Sequence, residues 1–227
     1  MANRRVMRNG VLMAALLVGV SDCMAQNSGR APRIVTSYCS GCHGIDGNAE
    51  LPYFPKLAGL NPTYAERKLT EFKKPSLPAV DELFVRPRNA SDGKEPAWSP
   101  TREELTNMQG VAHAVKPGLI RQAVEWYAGQ PRTAGRASNK ALVEQGEQLF
   151  RNGPRDQKQL ACVSCHGPEA EGRGLTPRLA GQNAAYIQAQ LAKFRRGDQR
   201  SAPAMMAVAR GLNADEVRAA AAYLQSK

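Results

Sequence analysis

Two short runs of the sequence combine residue types that bond covalently to cofactors and ligate metals. Cys39-Ser40-Gly41-Cys42-His43-Gly44 and Cys162-Val163-Ser164-Cys165-His166-Gly167 share the pattern Cys-x-x-Cys-His-Gly. Three chemistries use such a cysteine pair. A thioredoxin-like redox pair opens a helix in a β-α-β setting, and strand signals are few in this chain. A zinc site would have to pool ligands from motifs separated by some 120 residues. Covalent haem explains both types and spacing. Two thiols one helical turn apart add to the two vinyl groups of a porphyrin, and the imidazole of the next residue is brought beneath the iron. Two motifs therefore predict two haem c groups, attached through Cys39, Cys42, Cys162 and Cys165, with His43 and His166 as axial ligands.

The opposite face of each iron needs a ligand of its own. Beyond residue 25 the methionines are Met108, Met205 and Met206, and the histidine outside the motifs is His113. The first half of the chain thus offers Met108 or His113, and the second half Met205 or Met206. Met108 and Met205 stand seven residues before Val115 and Leu212, at repeated places, and are the expected ligands. Met206 is the alternative to Met205, and His113 has no counterpart in the second half. Thioether opposite imidazole raises a haem potential and leaves no open position on the iron, which favours electron transfer over catalysis.

The elements that must position these groups also occur twice. The motifs are offset by 123 residues, and Pro55-Lys56-Leu57-Ala58-Gly59 returns as Pro177-Arg178-Leu179-Ala180-Gly181 at an offset of 122. Tyr64, Leu69 and Phe72 keep that spacing against Tyr186, Leu191 and Phe194, on one helix face in each copy. Further on, Met108, Val115, Ile120 and Trp126 match Met205, Leu212, Val217 and Tyr223 at an offset of 97. The change of offset gives the first unit an insertion, expected as a loop over about 75–100 because it is rich in proline, asparagine and glycine. Helices are expected over Ala141 to Arg151, Ala184 to Arg196 and from Asn213 to Gln225, the last opened by a capping box with Glu216. Pro117 fits the first turn of the counterpart helix in the first unit. The chain divides into 26–134 and 135–227, two small all-α domains whose limited cores call for something else to fill them.

Residues 1–25 carry Arg4, Arg5 and Arg8 ahead of an apolar run from Val11 to Val20, with Ala25 in a small-residue context. This pattern predicts a secretory signal peptide that is cleaved and takes Cys23 with it, delivering the protein to the periplasm. The apolar run is about half the roughly 20 residues needed to span a bilayer. The whole chain has 31 Lys and Arg against 20 Asp and Glu. The leader holds three arginines and one aspartate, so its loss leaves +9. Export argues against nucleic acid, and the surplus suits acidic docking surfaces on redox partners.

Both haem motifs, Phe54 with the Pro-Lys-Leu-Ala-Gly segment, its Pro-Arg-Leu-Ala-Gly copy, the Tyr64 and Tyr186 helices and the methionine-to-final-helix segments together resemble the dihaem cytochromes c of the c4 type. The resemblance covers residues 33–227. It implies an all-α fold of two tandem class I cytochrome c domains, each wrapped around one covalent haem. It further implies that the Pro55 carbonyl orients His43 and the Pro177 carbonyl orients His166. The function it implies is a periplasmic electron carrier between a quinol-oxidising complex and a terminal oxidase or reductase, with peripheral association with those membrane complexes. A cytochrome subunit of a periplasmic dehydrogenase and a dihaem peroxidase-like enzyme are the rival readings. In the second unit Gly146, Phe150 and Tyr223 suit the helix crossing of the family. The first unit departs: Ile34 replaces the glycine and Trp126 the tyrosine, so a truncated or less firmly packed first helix is expected. The insertion, with Trp98, is the second departure.

Overall fold

The structure is a computed structural model that describes residues 29–74, 102–136, 139–154, 160–199 and 201–227, with side chains of 102–107 excepted. The leader over 1–25 with Cys23, and the insertion near 75–100 with Trp98, lie outside the described residues. The described chain is helical, apart from one isolated bridge between Arg173 and Thr176. Among the described residues no helix is long and apolar enough to cross a membrane.

The first unit comprises a π-helical turn, Val35–Cys39, continuing into α1 (Ser40–His43), then α2 (Pro62–Phe72), α3 (Arg102–Ala114) and α4 (Pro117–Ala128). The second comprises α5 (Lys140–Asn152), α6 (Val163–His166), α7 (Ala184–Arg196), α8 (Pro203–Gly211) and α9 (Ala214–Ser226). Local chemistry sets the ends. The Asn61 and Asn139 side chains accept from Tyr64 N and Leu142 N, Pro62 and Pro117 occupy first turns, and Asn213 and Glu216 cap each other reciprocally. The α7 helix stops at Gly197, whose φ of +88° a glycine adopts without strain.

The duplication is reproduced in the backbone hydrogen bonds that hold each proline segment. Leu57 N and Ala58 N donate to Gly47 O, and Leu179 N and Ala180 N donate to Ala170 O. Gly59 N donates to Tyr127 O at 2.8 Å, and Gly181 N to Leu224 O at 2.8 Å. Each proline segment is thereby anchored to the last helix of its own unit. The second core gathers Phe150, Ala170, Ala180, Ile187, Tyr223 and Leu224, and a neighbouring cluster adds Leu149, Leu212 and Ala220. The first gathers Ile34, Val35, Val115, Ala123, Trp126 and Tyr127.

The first helical segment of unit one is short, as expected, but it is not loosely packed. Val35 is 0% exposed and Ile34 4%. Trp126 donates from Nε1 to Ile45 O at 2.7 Å, and Tyr127 from its hydroxyl to Gly44 O at 3.0 Å. These two rings secure the chain around the first motif where the second unit uses a longer helix.

Candidate functional site

The Cys-x-x-Cys-His motif sits in each unit on a single helical turn. Cys39 caps α1 and Cys162 caps α6, so the second cysteine lies one turn on and the histidine ends the helix. The chain then leaves through Gly44 and Gly167, at φ of +76° and +80°. Burial pushes the Cys39 thiol up to about 11 and raises that of Cys162. Protonated thiols of this kind are unlike the low-pKa thiolate of a redox-active pair. All four motif cysteines are unbridged, and among the described residues no three His, Cys, Asp or Glu side chains converge on a metal-sized site. The two motifs do not pool their ligands as zinc would require.

His43 and His166 are each 4% exposed. His43 Nδ1 lies 2.9 Å from Pro55 O, and His166 Nδ1 lies 2.9 Å from Pro177 O. A carbonyl oxygen only accepts, so the proton resides on Nδ1 and the lone pair on Nε2. Burial lowers both imidazole pKa values, with the proline hydrogen bond opposing, and keeps the rings neutral. A neutral imidazole with Nε2 free and Nδ1–H tied to a carbonyl is the state required of an axial ligand. Phe54 meets the His43 ring edge-on, with centroids 6.2 Å apart.

Met108 lies half-buried on α3, and Met205 and Met206 lie half-buried on α8. No methionine is joined to an imidazole by a described contact. Axial ligands on opposite faces of a porphyrin are separated by the iron, so direct contact is not what ligation requires. The Met206 methyl end stands beside Gly197, at the end of α7. His113 is exposed on the last turn of α3. The donor set therefore fits two haems: paired thiols, neutral buried imidazoles presenting Nε2, and thioethers in each unit.

A polar seam that motif spacing does not reveal joins the two proline segments. Lys56 and Arg178 are buried, and their described hydrogen-bond partners are oxygens of carbonyls and one hydroxyl. Lys56 Nζ donates to Thr133 O at 2.7 Å and to its hydroxyl at 3.2 Å. Arg178 donates to Ala58 O, to Ala180 O and, at 3.2 Å, to Gly59 O. Gln182 and Asn183 complete the seam. The recurrence of a cation after each proline was the available signal, but apart from Ala180 the oxygens its side chains reach lie more than 70 residues away.

A family profile described as Cytochrome c matches residues 143–227. The chain is 32% identical over 224 residues to cytochrome c4 of Stutzerimonas stutzeri, covering 96% of this chain and 98% of that protein. It is 30% identical over 191 residues to a thiosulfate dehydrogenase electron acceptor of Stutzerimonas stutzeri strain A1501, covering 82% and 76%. Its structure resembles that of reduced recombinant cytochrome c4 from Pseudomonas stutzeri, with a TM-score of 0.67 and 33% identity over 84% of this chain and 94% of that one.

Proposed function

The chain belongs to the cytochrome c4 family of dihaem electron carriers, and on that premise we propose that it works in the periplasm, taking electrons from a quinol-oxidising complex and passing them to a terminal oxidase or reductase. Two covalently attached haems c are its cofactors. We assign Cys39, Cys42 and His43 to the first haem and Cys162, Cys165 and His166 to the second. Met108 and Met205 are assigned as the opposite ligands. We propose the domain boundary at 134/135, and a change of partners along the connecting segment supports it. Asn48 holds Pro131 and Thr133, whereas Gln225 holds Gly135 and Arg136.

The observation that carries this reading is the pair of buried imidazoles, each one residue after a cysteine pair and each held by a proline carbonyl at 2.9 Å. Each haem, when bound, supplies a one-electron ferric/ferrous couple. The proline carbonyls fix the imidazole planes and, by taking part of the Nδ1 proton, make Nε2 a stronger donor. The methionine thioethers act in the opposite sense and favour the reduced state. Burial of both histidines keeps water from the ligand side.

Intact mass should show two haem additions, and the ferric protein should show the weak long-wavelength band of iron–thioether ligation from both haems. Met108→Ala and Met205→Ala should each remove about half of that band, and Met206→Ala none. Loss with Met206→Ala instead of Met205→Ala would reassign the second ligand. A high-spin population in half of the wild-type haem would favour a peroxidase-like enzyme.

A second reading is supported by the relative named as a thiosulfate dehydrogenase electron acceptor. In it the protein is the cytochrome partner of a periplasmic dehydrogenase. Rapid reduction by such a dehydrogenase, or co-purification with it, would select this reading, whereas reduction by a quinol-oxidising complex alone would select the first.

A further inference from the structure

The two proline segments are alike in sequence but are not supported alike. Pro55 O, which holds His43, belongs to the same planar peptide unit as Lys56 N–H. That N–H donates to Gln182 Oε1 at 2.8 Å, and Gln182 Nε2 donates back to Lys56 O at 3.1 Å. The peptide on the other side of Pro55 is held from the same unit, because Asn183 Nδ2 donates to Phe54 O at 2.9 Å. Asn183 also reaches Ala49 O and Leu51 O, at 3.3 and 3.2 Å. Gln182 and Asn183 are 5% and 7% exposed, so water does not substitute for these bonds.

Among the described residues the reciprocal support is missing. At the 122-residue offset Gln182 corresponds to Leu60, which has no side-chain polar group, and Asn183 corresponds to Asn61. Asn61 spends its oxygen capping α2 through Tyr64 N, at 3.3 Å. Asn183 makes no side-chain cap on α7, where Gln225 Oε1 accepts from Ala184 N instead. No side-chain acceptor meets Arg178 N–H among the described hydrogen bonds.

We propose that Gln182 of the second unit is a positioning residue for the haem of the first, acting through the Lys56–Pro55 peptide on the His43 imidazole. The chain of bonds runs from the Gln182 carbonyl to Lys56 N–H, through the peptide to Pro55 O, and on to His43 Nδ1–H. Fixing the N–H fixes the direction of the carbonyl, and accepting from the N–H polarises the peptide so that Pro55 O accepts more strongly. A stronger acceptor at Nδ1 makes Nε2 more basic and favours ferric iron. Asn183 supports the same segment from its other end. The potential of the first haem thus depends on the second domain, and the converse does not hold through this route.

This inference rests on His43 being an axial ligand. Failure of that assignment would show in the wild-type protein, as fewer than two low-spin haems, before any variant is made. The test is Gln182→Met in the full holoprotein, which keeps the shape and removes both bonds to Lys56 together with the one its Oε1 accepts from Asn183 N at 2.9 Å, with potentials resolved haem by haem from the shifted haem-methyl resonances. The expected result is a rise in the first-unit potential with the second unchanged, and exchange of the Lys56 amide faster by roughly tenfold. Equal movement of both potentials, movement of the second alone, or no movement despite faster Lys56 exchange would overturn the proposal. Asn183→Ala, read in the same way, decides the matter if Gln182→Met does not yield folded holoprotein.

Discussion

Gly47 and Ala170 occupy the same place in the two units, and both carry a positive φ, +76° and +53°. Each offers its carbonyl to two successive amides of the proline segment. A Cβ on Gly47 would stand 2.6 Å from Ala58 N and 2.7 Å from Tyr127 Cδ1. The second unit has Leu224 where the first has Tyr127, and there an alanine is accommodated. Gly47→Ala is expected to destabilise the first unit by about 2 kcal/mol, through steric overlap and backbone strain together. Ala170→Gly should change stability by no more than about 1 kcal/mol. Denaturant unfolding of the holoprotein compares the two, and equal effects would show that the Tyr127 ring is not the discriminating contact.

The crossing of α5 and α9 is the principal helix contact of the second unit. Gly146 makes it close, since a Cβ there would lie 2.6 Å from the carbonyl carbon of Ala219 and 2.7 Å from Tyr223 Cβ. Phe150 and Tyr223 pack beside it with ring centroids 5.4 Å apart. Both obstructions belong to α9 near its backbone, so neither can rotate away. Gly146→Ala should therefore cost about 3 kcal/mol by forcing the helices apart. The loss should fall on the second unit, read as selective depletion of the haem attached through Cys162 and Cys165 in peptide mass mapping. The first unit has no such crossing to break. Ile34 stands at that place, and its packing uses the larger Trp126 and Tyr127 rings.

At the scale of the whole molecule the two units are joined by a polar seam. Besides Gln182 and Asn183, Lys68 Nζ donates to Gln199 Oε1 at 3.2 Å and Arg67 Nη2 to Leu175 O at 3.2 Å. Among the lysines and arginines whose side chains are described, those other than Lys56 and Arg178 are not buried, and the formal net charge of +11 over the whole chain becomes +9 once the leader is lost. Electron transfer with a partner that docks through acidic residues should slow as ionic strength rises, because screening over about 10 Å at 0.1 M weakens encounter. Stopped-flow rates across a salt series measure this. Rates independent of salt would remove charge steering from the account of partner choice.

The sequence by itself determined the chemistry and the duplication, because both are local or periodic. Cysteines one turn apart with histidine next state what they can bind, and the offsets of 123, 122 and 97 mark two units without reference to coordinates. The α5, α7 and α9 helices and the start of α4 were legible for the same reason, through capping residues and periodicity within one segment. Two features were decided only in the tertiary structure. The first helical segment of unit one looks weak in sequence but buries Ile34 and Val35, because Val115, Ala123 and Trp126 close over them, while Thr36, Ser37 and Tyr38 stay exposed. The support of the Pro55 carbonyl runs through a bond between Lys56 and Gln182, 126 residues apart, and nothing in two near-identical proline segments distinguishes the braced one from the other. A side chain's hydrogen-bonding capacity is written in its own residue, but its partner is chosen by how the two units pack.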